Sequence, residues 1–169
     1  MGMMPEIEKR YAVKEFQEQS VPEDVVHRIL EAGRLAPSAK NRQAWRFIAI
    51  VDPVLRGKIT EAAYGQDCVR TAPCIIALCT TNIDYKMPNG QLSYPVDLGV
   101  ASAFMMLQAT HEGIGSCPVT TFSEPDVSRA LTMPYGMKIV MLITLGYPLD
   151  PPGLRSRMAL SRVSSKNSW

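Results

Sequence analysis

Three stretches of the chain concentrate basic, hydroxyl and amide side chains, and they lie far apart in sequence. They are Arg10-Tyr11-Ala12-Val13-Lys14-Glu15-Phe16, Ala36-Pro37-Ser38-Ala39-Lys40-Asn41-Arg42-Gln43-Ala44-Trp45-Arg46-Phe47, and Arg155-Ser156-Arg157. Such residues can hold a ligand by donated hydrogen bonds, but none of the stretches joins a nucleophile to a base. Taken singly, the basic stretches read as solvated surface and the Pro-Ser-Asn stretch as a turn between helix and strand. Other chemistries lack their residues. Ser38 and Ser116 have no histidine positioned beside them by any motif. His27 falls inside a helical pattern, and His111 at a helix end, where it suits the dipole better than catalysis. Cys68, Cys74, Cys79 and Cys117 form no pair of close CxxC knuckles, and they read as reduced, mostly buried thiols rather than zinc ligands. No Gly-x-Gly-x-x-Gly follows a strand, so a resident dinucleotide-binding domain is not expected.

A folded frame must carry these stretches. A chain of 169 residues, 46% hydrophobic and 20% charged, is long enough for one domain with its own core, expected to span 1–169. The net charge of +2 advertises neither a nucleic acid nor an acidic membrane as partner, and a slight basic excess suits a phosphorylated ligand. Residues 1–11 show no signal-peptide core and Val96 to Ala109 is too short to span a bilayer, so the chain reads as cytoplasmic. Ser20-Val21-Pro22-Glu23 predicts a helix start, with Ser20 as cap and Glu23 closing a capping box, and Pro37 predicts an end near Leu35. A loop from Pro37 to Gln43 leads to a strand, Trp45 to Val51, and then to a helix from Asp52-Pro53 to about Tyr64. Ala72 to Thr81 carries Ile75-Ile76-Ala77-Leu78 without alternation, the mark of a strand buried on both faces. After a loop at Met87 to Gly90, Tyr94 to Glu112 predicts a helix stopped by Gly113. Ser116 to Thr121 reads as a short strand or turn, Pro125 to Leu131 as a short helix and Lys138 to Gly146 as a second buried strand. Helices and strands interleave, which predicts an α+β fold with a central sheet covered by helices. The helix from Tyr94 to Glu112 is apolar nearly all round, so part of it needs a subunit interface and a homodimer is expected. Tyr147 to Trp169 has no clear period and reads as an arm that packs on the partner.

In series, the motifs resemble the nitroreductase family of flavoproteins. RYAVKEF resembles its basic opening segment, and APSAKNRQAWRF resembles its "APSxxNxQPWxF" segment, the most specific of the set. APCIIALC resembles its strand introduced by Ala-Pro, and DLGVASAFMMLQATHEGIGSC its helix ending in Gly-x-Gly-Ser. GYPLDPPGLRSR and the final Asn167-Ser168-Trp169 resemble its late strand end and basic, aromatic-tipped C-terminal segment. The likeness runs through essentially the whole chain, in order. It implies a central, mostly antiparallel sheet flanked by helices and an intertwined homodimer with the C-terminal arm on the partner. It further implies bound FMN, NADH or NADPH as transient electron donor, and a two-step hydride exchange that reduces a small planar acceptor such as a nitroaromatic, a quinone or a flavin.

The resemblance also assigns residues. Arg10, Arg155 and Arg157 match positions that bind the FMN phosphate, and each charge-assisted bond could contribute about 1.5–3 kcal/mol. Tyr11 and Ala12 fall within the same opening segment, where relatives often carry Arg and Ser, so one contact there is lost or made by backbone. Lys14 matches a cation near the pyrimidine edge of the ring, to which Gln66 is also assigned. Pro37, Ser38 and Asn41 match the loop beside the flavin, and Pro118, Val119, Thr120 and Thr121 the segment along its ring. Ala44 replaces the usual proline before the tryptophan, which leaves that turn less rigid. Two other readings stand beside this one. One is a specialised relative, a reductive dehalogenase or a flavin-cleaving oxygenase, although the chain has little room for the lid segments such enzymes carry. The other is a flavin-binding redox sensor or FMN store without turnover, signalling through cysteines, notably Cys117.

Overall fold

The computed structural model describes residues 2–153 and 156–169. In chain order its elements are α1 (Pro5–Lys9), α2 (Glu23–Arg34), β1 (Trp45–Ile50), α3 (Pro53–Ala62), α4 (Asp67–Arg70), β2 (Cys74–Thr80), α5 (Ser93–His111), β3 (Gly115–Val119), α6 (Glu124–Ala130) and β4 (Lys138–Gly146). Short 3-10 turns occupy Ala39–Asn41 and Leu160–Arg162.

All seven residues of β2 are buried. An apolar strand of this kind needs a strand on each edge and a layer on each face, and it has all four. The sheet order is β1-β2-β4-β3 and every pairing is antiparallel. Because side chains alternate across a strand, Cys74, Ile76 and Leu78 enter one core, with Val25, Val26 and Ile29 of α2 and Leu98, Ala101 and Met105 of α5. Ile75, Ala77 and Cys79 enter the other, with Ile59 of α3, Val69 of α4 and Val127 of α6. A sheet between two helical layers agrees with the expected α+β fold, and each fully buried Ile or Leu contributes about 1.5–3 kcal/mol.

Local chemistry sets most boundaries. Asp52 accepts a hydrogen bond from the Leu55 N–H at 2.9 Å and starts α3, with Pro53 in its first turn. Gly113 ends α5 at φ +74°, a conformation open to glycine, and the Ile114 N–H closes back on the Ala109 carbonyl at 2.8 Å. Pro118 is tolerated in β3 because β4 is that strand's one ladder partner, and the bridge on its outer side falls at Ser116 and not at Pro118. The expected capping box at Ser20 does not form. Pro22 takes the cap position with φ −56°, no side chain caps the helix, and the Val26 N–H bonds to the Pro22 carbonyl at 3.1 Å. The proline ring fixes its own φ beside the helical value and so moves the boundary two residues past Ser20.

Beyond Asp150 every described residue is exposed, including Met158, Leu160, Val163 and Trp169. No helix among the described residues is long and apolar enough to cross a membrane.

A fork of two hydrogen bonds, 2.7 and 2.9 Å, runs from Arg28 on α2 to Glu112 after α5. The guanidinium holds the Glu112 carboxyl down to about 2, from an ordinary 4.5. A carboxyl depressed on folding stabilises above its unfolded pKa and loses that contribution as pH falls through its folded one. Arg28→Met is therefore expected to lower the denaturant midpoint at pH 7, with the gap to the parent closing between pH 4.5 and about 2. Unfolding curves across that range check it.

Candidate functional site

The N-terminal segment is stitched into the sheet edge from both sides. Ala12 pairs in parallel with Ser116, and the Val13 N–H donates to the Ser116 carbonyl at 3.1 Å. On its other side the Gln17 N–H donates to the Tyr147 carbonyl at 2.9 Å and the Leu149 N–H to the Glu15 carbonyl at 3.0 Å. The Phe16 N–H is taken by Thr71 Oγ1 at 3.1 Å. Gly115 makes this fit possible, since a Cβ there would lie 2.6 Å from Val13 Cγ2 and 2.8 Å from Pro148 Cγ. The segment thus adds a strand-like rim beside β3.

Nine of the residues singled out in the sequence gather along this rim. Arg10 and Lys14 both belong to this rim, near enough to Cys117 for their charges to favour its thiolate, and Lys14 does the same at Cys68. Arg10 and Tyr11 line a cleft of about 150 Å³ with Lys9, Thr110, Ser116 and Pro148. Ser116 Oγ is the buried side-chain oxygen without a partner among the described residues, an unmet polar group beside that cleft. Tyr11 spends its hydroxyl on the Asp150 carbonyl at 3.0 Å and so fixes where the C-terminal segment departs. Ala12, Lys14, Pro118, Thr120 and Thr121 are exposed, whereas Val119 is buried in the core and can offer a ligand only its backbone. Gln66 turns its amide N–H groups inward, to the Ala63 carbonyl at 2.8 Å and the Thr121 carbonyl at 2.7 Å. Its remaining ligand-facing capacity is the side-chain carbonyl, and its visible work is to clasp the segment after β3.

Pro37, Ser38 and Asn41 lie elsewhere. Their loop precedes β1 at Trp45, opposite Thr80, whereas Ala12 lies in the row of Ser116, Leu145 and Cys74. Cys74 and Thr80 bound β2, six residue steps or about 20 Å apart. A second path agrees: the loop is anchored by the Ala39 N–H to Asp97 Oδ1 at 2.8 Å, and Asp97 stands fourteen residues, about 21 Å of helix, before His111. One chain therefore sets these two groups at opposite ends of its sheet. The loop itself is tightly held. The Asn41 and Gln43 N–H groups donate to the Ser38 carbonyl and hydroxyl at 2.8 and 3.0 Å, and Lys40 and Arg42 flank the Tyr85 ring at 5.5 and 4.1 Å. Lys40, Asn41 and Gln43 have φ of 53°, 52° and 51°, left-handed conformations of side-chain-bearing residues, with Arg42 between them at −70°, that persist only where contacts over-determine them.

Arg155 lies outside the described residues. Arg157 is exposed in the C-terminal segment, with Nη1 donating to the Ser156 carbonyl at 2.9 Å. Sequence reasoning missed Asp97 as the loop anchor. Its signal was available, since a carboxylate in an otherwise apolar helix must find a donor. Among the described residues no group of His, Cys, Asp or Glu could hold a metal ion.

The model of the Nitroreductase family matches residues 7–66 and 55–147. The chain is 27% identical to a protein of Thermus thermophilus named NADH dehydrogenase, over 92% of this chain and 91% of that one. It is 24% identical to FMN reductase [NAD(P)H] of Bacillus subtilis, over 94% of this chain and 70% of the relative. The crystal structure of a nitroreductase family protein from Clostridium difficile superposes with TM-score 0.89 at 25% identity, covering 100% of both chains.

The rim depends on the absence of a side chain at position 115. Gly115→Ala is expected to destabilise the protein by about 1–3 kcal/mol through overpacking. It should also speed amide hydrogen exchange at Val13, whose side chain the methyl would displace and whose N–H bonds to the Ser116 carbonyl. Unaltered exchange there would show that the rim accommodates a Cβ.

Proposed function

The chain belongs to the nitroreductase family, and from that premise we propose that it is an oxidoreductase that binds FMN between two subunits and uses NADH or NADPH to reduce small planar organic acceptors. The observation that carries the reading is the separation just described. Arg10 and Lys14 gather at one end of the sheet and Ser38 and Asn41 at the other, so a site that needs both groups has to draw them from two chains.

The residues fit such a group. The rim offers converging cations, an unpartnered hydroxyl at Ser116 and exposed backbone at Thr120 and Thr121, a donor set suited to a phosphate and a polar ring edge. Bound FMN would supply hydride acceptance and hydride donation. Arg10 and the arm's Arg155 and Arg157 would hold its phosphate. Lys14 would set a positive charge where the reduced ring carries its negative charge, favouring reduction. Pro118, Val119, Thr120 and Thr121 would line the ring, with Gln66 keeping Thr121 in place. Pro37, Ser38 and Asn41 of the second subunit would close the site. No protein acid, base or nucleophile is required.

Dimer formation has support of its own. Met4, Ala32, Leu35, Phe104 and Leu107 line an apolar cleft of about 870 Å³ along α1, α2 and α5. Val96 and Phe104 of α5 are 46% and 41% exposed, and the C-terminal segment carries Met158, Leu160, Val163 and Trp169 with no core of its own. An exchange of arms over these faces would bury both sets. The proposed setting is cytoplasmic, with the chain acting as one domain.

The test is a visible spectrum of the purified protein, recorded anaerobically before and after NADPH or NADH and then after a quinone. A flavin spectrum that bleaches with nicotinamide and returns with the quinone is expected. A flavin spectrum that neither nicotinamide bleaches would contradict the enzyme reading. A protein that stays colourless with added FMN would contradict the cofactor.

A further inference from the structure

The arginines of α2, α4 and α6 spend their charge on carboxylates. Arg28 pairs with Asp24 and Glu112, Arg34 with Glu31, Arg70 with Asp67 and Arg129 with Asp126. Two cations of the loop before β1 do not follow this pattern. Lys40 and Arg42 are exposed, and among the described residues neither forms an ion pair. Both rest instead on one aromatic ring. Lys40 Nζ lies 5.5 Å and the Arg42 guanidinium carbon 4.1 Å from the centre of the Tyr85 ring. The two charges therefore stand within about 10 Å of each other. The difference matters chemically. A ring attracts a cation through its quadrupole and leaves the N–H donors uncommitted, whereas a carboxylate consumes them.

Ring and loop are both held in place. The Tyr85 carbonyl accepts the Ser93 N–H at 3.0 Å, at the start of α5. The Tyr85 N–H donates to Asn82 Oδ1 at 3.3 Å, and the Asn82 N–H to Thr80 Oγ1 at 3.1 Å, at the end of β2. On the loop, the Ala39 N–H is taken by Asp97, and Gln43 Nε2 donates to the Asn41 carbonyl at 3.3 Å. The nearby carboxylates leave the cations unmatched. Asp97 is buried and turned to the Ala39 N–H, and Asp84, beside Tyr85 in sequence, forms no ion pair among the described residues. Lys86, on the other side of Tyr85 in sequence, adds to the positive balance.

Two fixed cations with uncommitted donors make a receptor for a negative group. Lys40 lies between Ser38 and Asn41, the residues proposed to close the flavin site of the second subunit. The FMN phosphate is already served there by Arg10 and the arm, so the anion belongs to whatever visits the ring. We propose that Lys40 and Arg42, carried on the Tyr85 ring, form an anion-receiving subsite at the mouth of the flavin site. It favours redox partners that carry a phosphate, carboxylate or sulfonate apart from the reacting ring. The subsite rests on the proposed flavin site and names the charge class of the molecules that visit it. The anion comes either with the acceptor or with the nicotinamide donor, whose two forms differ by one phosphate.

The test is steady-state turnover of the purified flavoprotein with matched partners that differ by one charged group. The acceptors are naphthoquinone and naphthoquinone sulfonate, and the donors NADH and NADPH. In the double variant Lys40→Gln, Arg42→Gln the KM of the charged partner relative to its counterpart is expected to rise about tenfold in one of the two pairs. The pair that moves identifies the acceptor or the donor as the source of the anion. Ionic strength of about 0.5 M should shrink the preference of the parent. Tyr85→Leu keeps both charges but removes their platform, and it should move the same ratio. Lys58→Gln removes a cation from α3 instead and should leave both ratios in place. Ratios unmoved in the double variant or in Tyr85→Leu would overturn the subsite while leaving the flavin enzyme intact. Loss of flavin from the double variant would overturn it too, because the cations would then be holding FMN. A parent protein without flavin would overturn the proposed function and this subsite with it.

Discussion

β2 is buried along its whole length, and that constraint organises everything else. Its backbone groups need partners on both edges, which brings in β1 and β4. Its side chains need cover on both faces, which recruits α2 and α5 on one side and α3, α4 and α6 on the other. Polar function is left with the two ends and the outer edge of the sheet. The N-terminal rim takes the β3 edge, and the Pro37 to Gln43 loop takes the far end of β1. A covered central sheet thereby separates the two halves of the proposed ligand set, and the apolar faces that remain exposed on α5 would rejoin them across the proposed subunit boundary.

The same logic explains why strain and unmet polarity concentrate where they do. Three features — the left-handed Lys40, Asn41 and Gln43, the unpartnered Ser116 hydroxyl, and the cations Arg10 and Lys14 — all lie outside the two cores. A fold optimised only for stability would relax such features. Here they persist because Asp97, Ser38 and Tyr85 hold the loop and because the rim is stitched from both sides.

Much of this was legible in the sequence, where local chemistry decides. The strand from Lys138 to Gly146 matches its predicted bounds, because six apolar residues in a short run leave no alternative register. Asp52-Pro53 and Gly113 marked helix boundaries through a side-chain cap and a positive φ. Ser20 misled, because the proline two residues on competes for the cap and wins. The family was legible from motif order, since RYAVKEF and APSAKNRQAWRF are strings of chemistry rather than of hydrophobicity. The geometry of the site was not. Nothing in spacing reveals that Gln66 donates inward or that Val119 is buried, because each follows from how layers stack rather than from any local pattern.

The central claim, a flavin site shared between two chains, is tested most directly by mixed dimers. Chains carrying Arg10→Ala and chains carrying Ser38→Trp, differently tagged and co-expressed, give a mixed dimer that can be isolated through both tags. Each variant alone is expected to lose its flavin. If every site draws Arg10 from one chain and Ser38 from the other, the mixed dimer holds one intact site and one doubly impaired site, and it should retain one flavin per dimer. A mixed dimer with no flavin would mean that both residues serve a site within a single chain, which would contradict the account.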